Sequence, residues 1–389
     1  MMRSKLTIIS ISLLLILLIA CQKQERLVSP EESLSQNLHL PSIPYHYADV
    51  ILPDFLSDFP GRREDNMPED NVITDWGATL GRVLFYEKAL SLNNTISCAS
   101  CHHQENNFAD PVAFSLGFDG VATTRNSMSL TNARYYEHKK FFWDERAATL
   151  EQQILFPIQD HIEMGLTIEE MINRLEDRPY YSFLFEKAFG DTNITPERVA
   201  KATAQFIRSI VSFTSKFDKA VIASGITQSN LIKSPLVGLT DIENRGVDIF
   251  FNIYRGCTSC HSFGFQIADL AMNNGLDNEF IDLGVGGFTG NDHQMGKFKV
   301  PSLRNIAVSG PYMHDGRFES LEEVLEHYSS GIQYSPTLDV RFRGIGSGNT
   351  TVRQMDLTEE EKEGLIAFLH TLTDEEFLRD EKFSDPFIK

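Results

Sequence analysis

Positive charge is what this 389-residue chain has least of: 35 lysines and arginines stand against 54 aspartates and glutamates, a formal net charge of −19. A surface of that sign repels phosphate backbones and anionic headgroups, which argues against nucleic acid or an anionic membrane face as a direct partner. A run of membrane-spanning length is also missing. Leu6 to Ala20 is apolar, but falls short of the roughly 20 residues that a transmembrane helix needs. Cysteine is sparse too, five in all, and each of the five has a specific place.

One cysteine ends what reads as an export signal. Arg3 and Lys5 precede the apolar run, and Leu18-Ile19-Ala20-Cys21 has the form of a lipobox. Residues 1–20 are then expected to be a lipoprotein signal peptide, with Cys21 acylated and the mature chain held to a membrane by that lipid. An uncleaved signal anchor is the other reading, and both place the chain outside the cytoplasm. Gln22 rather than aspartate after the cysteine leans towards the outer membrane of a periplasmic protein. Residues 21–42 are polar with scattered apolar side chains, a flexible tether.

The other four cysteines form two copies of one motif: Cys98-Ala99-Ser100-Cys101-His102 and Cys257-Thr258-Ser259-Cys260-His261. This pattern is that of c-type haem attachment. Two thiols so spaced reach the vinyl groups of one haem, and the adjacent histidine reaches its iron. A zinc or dithiol redox site shares the Cys-x-x-Cys element, but zinc would need further ligands beside each motif, and none stands there. Two covalent haem c groups are expected. Their export requirement agrees with the signal, and the acidic surface suits a basic electron carrier.

From residue 43 onward the chain is long enough for two domains, one around each motif. Helical periodicity predicts an all-α fold of two cytochrome c-type domains, with strands minor because haem replaces much of the apolar core. Asp75 to Tyr86 and Asp241 to Tyr254 are amphipathic and each leads into a motif, carrying Gly81 and Gly246 where another helix could approach closely. Helices are also predicted over Glu197 to Phe213, with Pro196 at its start, and over Glu359 to Leu372, capped by Thr358. The domains are drawn at 43–225 and 226–389, with the boundary between Ser215 and Leu239.

Between the motifs, the chain resembles a family. Phe142-Trp143-Asp144-Glu145-Arg146, then Leu150-Glu151, Gln153, Pro157 and Glu163-Met164-Gly165, resemble the bacterial di-haem cytochrome c peroxidases. Val300-Pro301-Ser302-Leu303-Arg304-Asn305 and Gly310-Pro311-Tyr312-Met313-His314-Asp315-Gly316 are similar to that family and its MauG-type relatives. The blocks keep the family's order from about residue 70 to residue 375. Glu145 departs from it: a glycine is usual there, which should affect a turn rather than the chemistry.

The resemblance implies a division of labour. The haem on Cys98, Cys101 and His102 would be the peroxidatic one, and the haem on Cys257, Cys260 and His261 the point of electron entry. Trp143 would couple the two; a core aromatic is its plainer reading. Glu163 would be the distal acid that moves a proton across bound hydrogen peroxide; a solvated helix-end charge is the plainer reading there. Gln153 would orient peroxide, and Pro157 would shape the pocket wall. A calcium ion between the domains would take the Asn126 side chain and the Ser309 and Pro311 carbonyls. Relatives are often dimers, so a homodimer is possible.

Two axial positions depart from, or divide, the family pattern. Classical members carry a histidine on the loop after the first motif, whereas Ser115 to Gly120 contains none. His103 is too close to the proximal ligand to reach the opposite face, and His138 and His161 are conceivable substitutes. The simpler reading is a peroxidatic iron already open in the diferric state, needing no reductive activation. For the C-terminal haem, Tyr328 is the family's position, Met313 is placed as a cytochrome methionine would be, and His327 is a third candidate. The activity implied is reduction of hydrogen peroxide to water, with electrons from a small cytochrome c or cupredoxin. A MauG-type oxidase acting on a partner protein or other substrate is the alternative, and a pure electron carrier the third.

Overall fold

The computed structural model describes residues 29–57, 65–136, 138–227, 232–252, 257–261, 270–344 and 350–389. Signal, lipobox and Cys21 lie outside the described residues. The principal helices are α1 (Pro30–Asn37), α2 (Asp75–Tyr86), α3 (Leu150–Gln159), α4 (Ile168–Glu176), α5 (Pro179–Phe189), α6 (Pro196–Ser209), α7 (Lys216–Ala223), α8 (Asp241–Phe250), α9 (Leu321–Glu326) and α10 (Glu359–Thr371). Among the described residues there are isolated β-bridges but no strands. The fold is all-α, two cytochrome c-type domains.

Each half is built on one crossed pair of helices. Thr74 caps α2 and Thr195 caps α6, each accepting a backbone N–H, which satisfies donors a helix start leaves open. α2 then packs on α6 at Gly81, where a Cβ would lie 2.0 Å from the Ala202 carbonyl oxygen. In the second half, Thr240 and Thr358 form capping boxes with Glu243 and Glu361. α8 packs on α10 at Gly246, where a Cβ would lie 1.9 Å from the Gly364 carbonyl oxygen. Both glycines therefore stand at backbone-to-backbone contacts.

Two helices are shorter than their periodicity predicts. α6 ends at Ser209, because the backbone that follows is held by Asn132: its N–H donates to the Ile210 carbonyl and its Oδ1 accepts from Ser212 N, both at 2.9 Å. The apolar residues Ile210 and Val211 stay buried beyond the helix end, so periodicity alone could not separate them from the helix. α8 ends at Phe250; Tyr254, the expected end, lies outside the described residues.

Two apolar clusters form. The first holds Leu80, Val83, Phe85, Phe108, Ile154, Leu184 and Phe206, and the second Phe217, Val247, Phe250, Leu365 and Phe368. The chain crosses between them repeatedly. Phe55 and Leu56 join the second cluster, while Phe377, Leu378 and Phe383 from the C-terminus join the first.

The halves also share a turn. Phe141 pairs with Ala147 across Trp143, and Tyr312 pairs with Phe318 across His314. φ is positive at matching places, 67° at Phe142 and 55° at Glu145 in the first, 75° at Met313 and 63° at Gly316 in the second. Thr149 then caps α3, and Ser320 caps α9. Counting from these caps, Pro157 and Tyr328 occupy equivalent positions. α9 passes into a π-helical turn, His327–Gly331, the kind of irregularity that re-aims side chains at functional sites.

Candidate functional site

Two cavities flank the shared turn. The first, about 1780 Å³ free of protein atoms, is lined by Cys98, Cys101, His102, Gln153, Pro157 and Glu163. The second, about 1350 Å³, is lined by Cys257, Cys260, His261, Met313 and Tyr328. Apolar side chains dominate the lining of each. Two thiols and an imidazole on an apolar cavity are the donor set of haem c, and the chain has it twice. None of these four cysteines is in a disulfide. His102 Nδ1 lies 2.8 Å from the Phe108 carbonyl, an outer contact that orients the ring and presents the other nitrogen.

Trp143 is 9% exposed and lines both cavities. Its indole N–H donates to the Asn126 carbonyl at 2.8 Å, and its own carbonyl accepts from the Lys299 N–H at 2.8 Å. Lys299 lines both cavities as well, and burial lowers its ammonium to about 8. Its apolar neighbours give no sequence pattern that marks it as special.

In the first cavity the carboxyl of Glu163 is pushed up to about 7, chiefly by burial and then by the Asp160 charge, with Arg146 opposing. Glu163 sits on the turn after α3, and that turn is fixed by the loop Ser115 to Gly120. Phe118 N–H donates to the Glu163 carbonyl at 2.9 Å. At Gly117 a Cβ would fall 1.6 Å from the Ile162 carbonyl oxygen. The loop without histidine thus serves as a clamp on the Glu163 backbone. Pro157, inside α3, has no N–H for the Gln153 carbonyl and no side-chain donor for a metal.

Of the other histidines, His138 pairs with Glu145 at 2.9 Å, and the His161 side chain is 91% exposed beside Asp160. Neither lines the first cavity. In the second cavity, Asn274 Nδ2 lies 3.5 Å from Met313 Sδ and 3.3 Å from the Tyr328 hydroxyl, so both candidate ligands meet at one amide. Burial raises the Tyr328 phenol to about 12. His327 lies outside that lining, its Nε2 3.1 Å from the Asn274 carbonyl. Asn274, Met272 and Met355 line this cavity without having carried a signal in the sequence.

Asn126 donates to the Val112 carbonyl at 3.1 Å and, through its backbone N–H, to the His314 carbonyl at 2.8 Å. Ser309 bonds back to the Ile306 carbonyl, and the Gly310–Pro311 peptide is cis. Among the described residues, no group of three or more His, Cys, Asp or Glu could hold a metal ion; the proposed calcium ligands are all neutral oxygens. No helix among the described residues is long and apolar enough to cross a membrane.

A paired helical fold offering two such cavities is that of a two-haem c-type cytochrome. The family model for di-haem cytochrome c peroxidases matches residues 76–224. The chain is 30% identical over 316 residues to the methylamine utilization protein MauG of Methylophilus methylotrophus, covering 80% of this chain and 87% of that protein. It is 31% identical over 253 residues to the cytochrome c551 peroxidase of Nitrosomonas europaea, covering 64% and 71%. Among solved structures, a MauG-like protein associated with microbial copper homeostasis superposes with a TM-score of 0.67 at 34% identity, covering 82% and 95%. The chain belongs to the di-haem cytochrome c peroxidase and MauG family, whose members carry two haem c groups, and it is a peroxidase-type oxidoreductase.

Proposed function

We propose that this protein reduces hydrogen peroxide to two waters, consuming two electrons and two protons, with the electrons delivered singly by a small cytochrome c or cupredoxin. The observation that carries this reading is the first cavity, where a carboxyl held at about 7 shares the lining with the haem-attachment residues. In this reading His102 and His261 are the proximal ligands, and haem supplies the one-electron chemistry that side chains cannot. The Glu163 carboxylate takes the proton from the near peroxide oxygen and returns it to the far one. The Gln153 amide orients the peroxide, Pro157 would shape the pocket wall without offering a metal donor, and the buried indole of Trp143 lies on both cavities.

The remaining assignments belong to the same reading. Tyr328 would be the residue that holds the second haem from the side away from its motif, at the place where the first half has Pro157. The domains divide at about residue 225, the chain is periplasmic and lipid-anchored through Cys21, and a homodimer is compatible with it. Calcium at Asn126, Ser309 and Pro311 would steady the carbonyl that accepts from Trp143. One observation favours a second reading, a MauG-type oxidase acting on another molecule: Tyr328 lies on the second cavity. The 34% identity to a MauG-like protein associated with copper homeostasis points the same way.

The deciding experiment mixes the diferric protein with one equivalent of hydrogen peroxide and follows the Soret band in a stopped-flow spectrometer. An immediate change is expected, with no prior reduction. Rapid recovery on adding reduced cytochrome c identifies the peroxidase, and slow recovery the oxidase. Silence until one haem is reduced would mean a hidden sixth ligand, and silence in both states would leave an electron carrier.

A further inference from the structure

Glu145 stands where the matching turn of the second half has Gly316, and both positions have positive φ, 55° and 63°. Glycine adopts that backbone freely and a glutamate does not. Its carboxylate is also buried, at 5% exposure, a second disadvantage unless partners compensate. The turn itself needs neither. Among the described residues, the Tyr136 hydroxyl donates to Glu145 Oε1 at 2.5 Å, and His138 Nδ1 lies 2.9 and 3.0 Å from the two carboxylate oxygens.

Tyr136 is fully buried, whereas one third of the His138 side chain is exposed (33%). Phenol, carboxylate and imidazole therefore form an unbroken line from the interior to solvent. At its inner end the Lys299 ammonium lies 4.0 Å from the centroid of the Tyr136 ring. Lys299 is also bonded through its backbone to Trp143 and lines both cavities. A phenol next to a base can lose an electron and a proton together, which avoids forming a buried phenol cation.

We propose that Tyr136 is an oxidisable tyrosine, equipped by Glu145 and His138 to release its proton, that surrenders one electron to the peroxide-oxidised haem pair when no external donor arrives. The phenolic O–H bond breaks, the proton passes to the Glu145 carboxylate, and a neutral tyrosyl radical remains. The haem pair gains one reducing equivalent. An electron from the donor and the proton held on Glu145 later restore the phenol. This inference rests on the peroxide-reducing reading, and its chemistry is specific to a chain that has replaced the turn glycine.

The test is electron paramagnetic resonance on holoprotein frozen after one equivalent of hydrogen peroxide without donor, with parallel Soret spectra. An organic radical whose splitting collapses on tyrosine-ring deuteration is expected. Tyr136→Phe should abolish that signal while the Soret change survives. Glu145→Gln, which keeps the shape and removes the base, should lose most of it. Glu145→Gly relieves the backbone and should lose it as well, which separates a folding defect from a missing base. A Soret change with no tyrosyl signal, or a signal unaltered in Tyr136→Phe, overturns the proposal. Absence of any Soret change would overturn the peroxide reading itself, and this inference with it.

Discussion

Glu163 acquires its working range from its neighbours: burial raises its carboxyl, Asp160 raises it further, Arg146 opposes, and the balance is about 7. Below that pH the group already carries a proton and is far too weak a base to take another from peroxide; above it the carboxylate is available. The rate of the peroxide reaction should therefore rise with pH through about 7. Glu163→Gln should abolish that limb and slow the reaction by roughly 10²–10⁴-fold, as stopped-flow rates across the range will read. An unchanged profile in the variant would assign the proton to another group. In the second cavity Tyr328 makes a comparable claim. Axial ligands set haem potentials over a span of roughly 0.8 V, and a thioether favours ferrous iron more than a phenolate does. Tyr328→Met should raise the midpoint potential of one haem, within that span of roughly 0.8 V, and leave the other where it was. A potentiometric titration with both potentials unmoved would exclude Tyr328 as ligand. At this scale the sequence was eloquent about cysteines and histidines, whose spacing is covalent chemistry. It was silent about Lys299 and Asn274, ordinary residues that matter only through what folding sets beside them.

The helices show why some elements can be read from sequence and others cannot. α2 and α10 follow from cap, periodicity and length, and their predicted bounds hold to within a residue. Gly81 and Gly246 were legible as points of close approach because a helix rarely tolerates glycine without a packing reason. Where α6 stops was illegible, because the residue that stops it, Asn132, lies far upstream. The repeated turn was hidden for another reason: Trp143 and His314 share a backbone path, not a side-chain type. At Gly81→Ala and Gly246→Ala the added carbon meets backbone oxygen, which cannot rotate aside. Each is expected to push its helix pair apart and to destabilise the protein by about 1–3 kcal/mol. Thermal unfolding measures this, and an unchanged melting temperature for either variant would mean the helices are set wider apart than they are here.

Over the whole molecule, the two halves are joined by buried polar contacts rather than by apolar packing alone. Asn107 donates to the Arg304 carbonyl at 2.8 Å, Asn305 bonds to Asn107 and Ser212 at 3.1 Å, and the Asp374 N–H donates to Asn305 at 2.6 Å. Beside this seam the Arg304–Asp218 pair has no solvent exposure at all. Arg304→Met would leave the aspartate buried without its cation, an expected loss of about 3–5 kcal/mol. Beyond Asp374 the chain returns to the first half, where Tyr86 donates to the Phe383 carbonyl at 2.8 Å and Arg82 to the Ser384 carbonyl at 2.6 Å. Deleting residues 374–389 should thus unfold the first half at a lower temperature than the second, splitting a joint transition into two by calorimetry. A single transition at the original temperature would deny the tail this role. That same tail lies against the apolar core on which Cys98 also packs. Loosening the tail would therefore open the floor beneath the Cys98 motif, so the two ends of the sequence order share one seal.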